Sequence, residues 1–395
     1  MLYTMLFHIA TLFFGRAGGG GHGGGGGGGF GGGSGGGAYG SSSGGNASVI
    51  VFLILMAIVI FVSMRSRARA NKAQPGAAWP SAEAEQQVRD IFYAFQRDWA
   101  ANNPTAMQAY LSPSYFYNVN LMLLALTAVG RRNTMEDVTL RSVEPLTNPQ
   151  TATQAAGATL VVRMHAQAKD SLVEQSSGTV YYTDTSPFSE DWYFMQDGNT
   201  WRLDAIRQTT EAENDLSPAI QSFAATNNYF YSGEWGWLLL PQRGQLFSKA
   251  SFTNSAVNNH VIGLYKNCII EFYSYLPNRN GSESYTIAQA FLPKHYEDIL
   301  VRRKGIVNLT PRGLRQVTME WPDFNKKYDV YATSVEQVTS FELLNPSFME
   351  QVKALPFTLN IEVVDNVVYL YTNQTLADYT QMRDILYRAF QEMKL

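Results

Sequence analysis

Few groups in this chain have the type and spacing to do chemistry. The five histidines are His8, His22, His165, His260 and His295. None sits in an H-E-x-x-H or comparable ligand pair, so neither a metal nor a cofactor is expected. Cys268 is the single cysteine, which excludes an internal disulfide framework and a cysteine-based metal centre. It lies in a β-rich stretch and reads as a buried structural thiol. His165 is the best single candidate for acid–base work. Thr159–Ala168 alternates, with Leu160, Val162, Met164 and Ala166 on one face and Arg163, His165 and Gln167 on the other. Asp191 or Asp204 on a neighbouring strand would be needed to orient the imidazole as a base. The plainer reading is a hydrogen-bonded strand histidine. Formal G-x-S-x-G matches at Ser34 and Ser42 lie inside a Gly/Ser tract and lack the strand and helix that give that motif its geometry. Arg302, Arg303 and Lys304, with Arg312 and Arg315 nearby, form a basic cluster suited to an anionic lipid or an acidic partner. Alternation divides neighbours between two sheet faces, so a solvated sheet edge is the plain alternative.

The strongest feature is physical. Ala47–Met64 (ASVIVFLILMAIVIFVSM) has no charge, proline or glycine. Its length suits the hydrocarbon core of a bilayer, and it shows no polar stripe of the kind a buried helix usually keeps. Arg65, Arg67, Arg69 and Lys72 follow at once, whereas Arg16 is the only charged side chain before the run. Basic flanks stay cytoplasmic. The expected topology is therefore a single pass, with the N-terminus outside and residues after 72 inside. The same four side chains are expected to meet the anionic inner leaflet, at about 1 kcal/mol each.

Around that helix the chain divides into segments. Residues 1–14 are an apolar start too short to span, closer to a signal-peptide core. Residues 15–46 are Gly-rich and cannot bury enough apolar area to offset ordering, so a flexible segment is expected. Residues 65–80 form a basic juxtamembrane linker, 81–210 a first folded unit, 211–259 a linker or irregular region, and 260–395 a second unit. Linker composition at 71–80 and 211–218 implies that Trp79–Thr210 folds by itself. Net charge is -3 with pI ≈ 6.0, which argues against nucleic acid as a main partner. Hydrophobic content of 45% is enough for real cores.

In the first unit Ser81 caps a helix whose apolar face is Val88, Ile91, Phe92, Phe95 and Trp99. Thr105–Leu111 and Ser114–Val129 read as two further helices, the latter apolar nearly all round and so buried. Strands follow at Asp137–Leu146, Thr159–Ala168 and Thr179–Thr183. Asp191–Gln196 and Thr200–Arg207 form a hairpin over Asp197-Gly198-Asn199. Helices first and an antiparallel meander after indicate α+β. In the second unit, strands are expected at Leu264–Leu276, Tyr285–Phe291, Ile299–Leu309 and Leu314–Trp321. Ser334 and Gln337 make a capping box, and a short helix opens at Pro346. Leu359–Val364 and Val367–Thr372 suggest a hairpin across Asp365-Asn366, before a last helix along Leu376, Tyr379, Leu386 and Phe390.

The segments FYAFQRDWAANN, GRRNTMEDVTLRSVEPL and DWYFMQDGNTWRLDAIRQ resemble the Tim-forty-four-like domain, over about Ala82–Gln208. That domain is the C-terminal part of the mitochondrial inner-membrane tether of the import motor, and bacterial members carry the same upstream layout. The resemblance implies a cone of helices on a curved antiparallel sheet, similar to nuclear-transport-factor-two-like folds. It implies association with membrane lipid and protein partners, and no catalytic residues. The segment VTMEWPDFNKKYDVYATSVEQVTSFELLNPSFMEQV and the closing hairpin resemble a bacterial family of unknown function.

The expectation is therefore a bacterial inner-membrane binding or tethering protein, not an enzyme, that engages lipid or partner proteins. Such cones often hold an apolar pocket, whose expected lining is Phe95, Trp99, Met164, Trp192 and Trp201. The alternative is a cofactor-free enzyme acting on a small molecule in that pocket, since one fold class hosts both.

Overall fold

The computed structural model describes residues 77–147, 158–209, 217–233, 239, 243–247, 257–277, 284–305, 310–334 and 342–395. The expected signal core, Gly-rich segment, membrane helix and juxtamembrane cluster Arg65, Arg67, Arg69 and Lys72 lie outside the described residues. So does most of the helix expected after Ser334. Among the described residues no helix is long and apolar enough to cross a membrane.

The fold is α+β, with two antiparallel sheets and helices on them. Helix α1 (Ala82–Ala100) opens where Ser81 Oγ accepts the Ala84 amide at 3.1 Å, with Glu83 and Glu85 in its first turn. It closes where Asn102 adopts φ 50 ahead of Pro104. Val88, Ile91, Phe92, Phe95 and Trp99 are all buried, as their helical spacing requires. Helix α2 is one turn, Pro104–Met107, shorter than the expected Thr105–Leu111. Residues 110–112 leave it to bond Leu203 at the sheet edge, through Leu203 N–H to Tyr110 O and Ser112 N–H to Leu203 O. Helix α3 (Pro113–Ala128) ends at Gly130, φ 72.

The first sheet runs β1 (Arg131–Pro145), β2 (Thr159–Glu174), β4 (Phe188–Asp197), β5 (Thr200–Gln208), with β3 (Val180–Asp184) paired to β2. The expected hairpin is present. Gly198, at φ 61, supplies the left-handed residue of a two-residue loop. Bulges at Asp137–Val138 and between Tyr193 and Phe194 interrupt the register, and such insertions bend a sheet.

The stretch 217–233, expected as linker or irregular, forms α4 (Pro218–Thr226) and β6 (Phe230–Gly233), and β6 pairs with β7. Leu264–Leu276 is not one strand. Lys266 and Asn267 both take positive φ, 49 and 63, and turn the chain between β7 (Val257–Tyr265) and β8 (Cys268–Tyr275). A two-residue primed turn needs that conformation, and here no glycine advertises it. The strands expected at 285–291 and 299–309 are one element, β9 (Tyr285–Arg303). The expected hairpin at Asp365-Asn366 is likewise one strand, β12 (Asn360–Thr372), paired to both halves of β9. Asp365 takes φ 57, and the register shifts on both sides of its pairing with Tyr296. A matched irregularity in both strands absorbs what the sequence suggests as a turn. The second sheet is ordered β10 (Arg315–Val317), β11 (Tyr328–Ala332), β9, β8, β7, β6. Short α5 (Pro322–Lys327) precedes β11, α6 (Pro346–Ala354) precedes β12, and α7 (Thr380–Glu392) ends the chain.

Two cores result. One lies between α1, α3 and the first sheet and continues onto one face of the second sheet, through Ile269, Tyr273, Ile287, Phe291, Val367 and Tyr369. The other fills the opposite face of that sheet beneath α4, α6 and α7. Helix α3 packs on β1 and β5 of the first sheet and on β7 and β8 of the second. That double burial explains why its sequence is apolar nearly all round.

Candidate functional site

The five residues expected to line a pocket are all buried and belong to one core. Phe95, Met164 and Trp192 have no exposed surface, and Trp99 and Trp201 are buried too. Phe95 stacks on Trp99 at 6.1 Å and meets Trp192 edge-on at 5.6 Å, while Phe92 lies 5.3 Å from Trp192. These are ordinary separations for aromatic pairs that fill each other's contact surface.

Polar groups the pattern did not point to thread through this core. Trp99 Nε1 donates to Asn133 Oδ1 at 2.8 Å, and Asn133 Nδ2 donates to Asp170 Oδ1 at 2.5 Å. Trp192 Nε1 donates to the fully buried Glu190 at 2.9 Å. Burial pushes the Tyr115 phenol well above its ordinary pKa, and the nearby Glu190 adds to that. Glu190 could have been found. It shares the inward alternation of Phe188, Trp192 and Phe194, where a charge stands out.

His165 is a hydrogen-bonded strand histidine, the plainer of its two readings, and the base–orienter alternative does not form. Its Nδ1 lies 2.7 Å from Ser189 Oγ. Asp191 instead accepts two bonds from Arg163, at 2.7 and 2.9 Å, and Asp204 accepts from Ser112 at 2.5 Å and from Ser114. Both candidate carboxylates are taken by closer donors. Cys268 is buried, and burial pushes its thiol up, away from nucleophilic character.

Two histidines do meet a carboxylate: His295 meets Asp365 at the surface, and His260 on β7 meets Glu271 on β8 in the interior. His260 Nε2 lies 2.8 Å from Glu271 Oε2, and both side chains are buried. Gln289 Nε2 donates to the other Glu271 oxygen at 3.3 Å, and Tyr273 OH donates to Gln289 Oε1 at 2.7 Å. The group lies within the second sheet, and Tyr273 belongs to the core shared with the first unit. Reading 264–276 as one strand conceals it, because only the turn at Lys266-Asn267 brings β7 back along β8. Every buried carboxylate among the described residues (Asp98, Asp170, Asp184, Glu190, Asp191, Glu271, Asp329 and Glu362) accepts at least one hydrogen bond from this chain. No group of three His, Cys, Asp or Glu among those residues could hold a metal ion.

The basic cluster is divided as alternation requires. Arg302 turns to one face and stacks over Tyr331 at 4.8 Å, while Arg303 and Lys304 are exposed at the end of β9.

Residues 282–377 match a family described as "Protein of unknown function (DUF3137)". That range includes the segments on which the second unit's resemblance rests. No curated protein sequence matches the chain. Among solved structures the chain is similar to the mycobacterial trehalose monomycolate transport factor A, TtfA, at 13% identity and TM-score 0.34, over 46% of this chain and 93% of that one. It is also similar to the intermembrane-space region of the chloroplast protein ARC6, at 11% identity and TM-score 0.24, over 33% of this chain and 99% of that one. At such scores neither likeness carries an argument about function.

Proposed function

We propose that this chain is a single-pass protein of the bacterial inner membrane that binds or tethers lipid or protein partners and does not catalyse a reaction. In this reading Ala47–Met64 spans the bilayer, Arg65, Arg67, Arg69 and Lys72 lie on its inner surface, and the two-sheet body is cytoplasmic. In this reading the first sheet with α1 and α3 corresponds to the cone that the resemblance implies. The observation that supports the binding reading is at the best candidate base: His165 meets Ser189 Oγ at 2.7 Å, while Asp191 and Asp204 are engaged by Arg163 and by Ser112 and Ser114, so no base–orienter pair is assembled around it. Partners then meet the outer surface of the body.

Two experiments test the reading. A reporter active only outside the cytoplasm is fused near Ser43 and, separately, after Leu395. Activity from the first and none from the second is expected, and activity from the Leu395 fusion overturns the topology. Native mass spectrometry of the full chain in lipid nanodiscs is expected to retain lipid or a protein. A bound small molecule that the protein converts would establish the enzyme alternative instead.

A further inference from the structure

We propose that the end of the second sheet carrying Arg303, Lys304, Lys326, Lys327 and Lys353 docks on an anionic phospholipid bilayer. The inference rests on the membrane-anchored reading above. Three separate stretches of sequence build this surface. Arg303 pairs with Tyr328 where β9 meets β11, and the Lys304 N–H donates to Lys327 O at 2.9 Å. Lys327 Nζ donates to Lys353 O at 3.4 Å, which brings the last turn of α6 to the same end. Arg303, Lys304, Lys326 and Lys353 are exposed, and Lys327 is half-buried.

Two of the five cations have a carboxylate partner, and the Asp323 carboxylate also feels Lys353. Lys326 is paired with Asp323 at 2.9 Å, and Lys304 lies 3.9 Å from Asp329. Lys353 rests over the Trp321 ring at 5.2 Å and Lys327 over the Tyr328 ring at 5.6 Å. Among the described residues, Arg303, Lys327 and Lys353 form no ion pair. The exposed Glu320 and Glu350 on flanking segments form none with them either. Like charges gathered this way repel and leave the fold less stable. An anionic surface lying across them would reverse the sign of the interaction.

A bilayer is the occupant favoured by the covalent layout. At full extension the chain between residues 64 and 82 spans at most about 60 Å. A body of this size is roughly 50 Å across, so every face of it is within reach of the membrane. Half-buried Trp321 beside Lys353 adds a ring suited to the headgroup region. Each basic side chain near an anionic leaflet strengthens partitioning about five-fold.

The test uses the full chain in nanodiscs of phosphatidylcholine alone or with phosphatidylglycerol, footprinted with an amine-reactive label and read by mass spectrometry. Lys304 and Lys353 are expected to label at least five-fold more slowly with the anionic lipid, while Lys169 and Lys266 do not change. Salt at about 0.5 M, which shortens screening to a few ångströms, should abolish the difference. In the Arg303→Glu, Lys304→Glu, Lys353→Glu variant, Lys326 and Lys327 should label alike in both discs. Equal labelling of the wild type in both lipids overturns the proposal. Protection that is independent of lipid and follows a co-purifying protein also overturns it. A chain that fails to elute with the disc refutes the anchoring. Flotation with phosphatidylglycerol vesicles then decides the docking surface alone: flotation lost in the triple variant supports it, and no flotation overturns it.

Discussion

His260 on β7 and Glu271 on β8 face each other at 2.8 Å with neither side chain open to solvent. The ring nitrogen and the carboxyl oxygen share one proton in this contact. Removing one partner leaves the other buried and unpaired, a loss that typically costs several kcal/mol. His260→Ala is expected to destabilise the protein by about 3 kcal/mol. The double change His260→Leu with Glu271→Leu should recover part of that, because neither member of the pair is then left without the other, although Gln289 Nε2 loses its acceptor. Urea denaturation of the wild type, His260→Leu, Glu271→Leu and the double variant gives the coupling energy. Additive effects would mean that the two side chains do not act as a pair.

Glu362 predicts a pH dependence. Its carboxylate on β12 accepts the backbone N–H groups of Gln245 and Leu246, the second at 3.2 Å. The loop comes so close that a Cβ on Gly244 would stand 2.6 Å from Glu362 Oε1. Burial raises the Glu362 pKa above its ordinary 4.5, although the two amides oppose the shift. A carboxyl raised in the folded state holds its proton more tightly there than in the unfolded chain. Its contribution is therefore complete below about 4.5 and is lost as pH rises through the folded-state value. Wild type should lose stability relative to Glu362→Gln across that interval and then run parallel to it. Melting temperatures of both proteins from acid to neutral pH measure this. A wild type that gains on the variant as pH rises would reverse the sign and refute the assignment.

Met164 separates a filled core from a cavity. It has no exposed surface and sits on the inward face of β2, between Val143 and Glu190 on the neighbouring strands. Met164→Trp should overpack this core and cost ~1–3 kcal/mol. The wild type should take up no fluorescent fatty acyl probe. Probe binding that the substitution abolishes without a fall in melting temperature would show a pocket at this place instead.

The shared core bears on whether the first unit stands by itself. Linker composition suggests that Trp79–Thr210 folds alone, yet α3 is covered on one side by β7 and β8. Cutting the chain at Thr210 uncovers that side, at roughly 1.5–3 kcal/mol for each large apolar side chain exposed. The isolated piece is expected to melt well below the full chain, or to self-associate. Calorimetry on both decides it, and equal melting temperatures would show that the contact with the second sheet adds nothing.

The sequence by itself determined the elements whose forces act over a few residues. Ser81 and Ser112 cap α1 and α3 through bonds to amides three residues on, and Gly130 and Gly198 mark φ values that side chains resist. The alternation in β2 names its buried face because successive side chains point to opposite sides. The α+β order follows from such local patterns. Tertiary structure decided the rest, because pairing between distant strands leaves little trace in either strand. Only the presence of β9 alongside makes 360–372 one strand rather than a hairpin. Only the Lys266-Asn267 turn brings His260 to Glu271. Asp191 and Asp204 were legible as carboxylates near His165, but which donor each accepts depends on distances of a few ångströms between strands. The cationic end of the second sheet joins residues 303, 327 and 353, and no window of sequence contains all three.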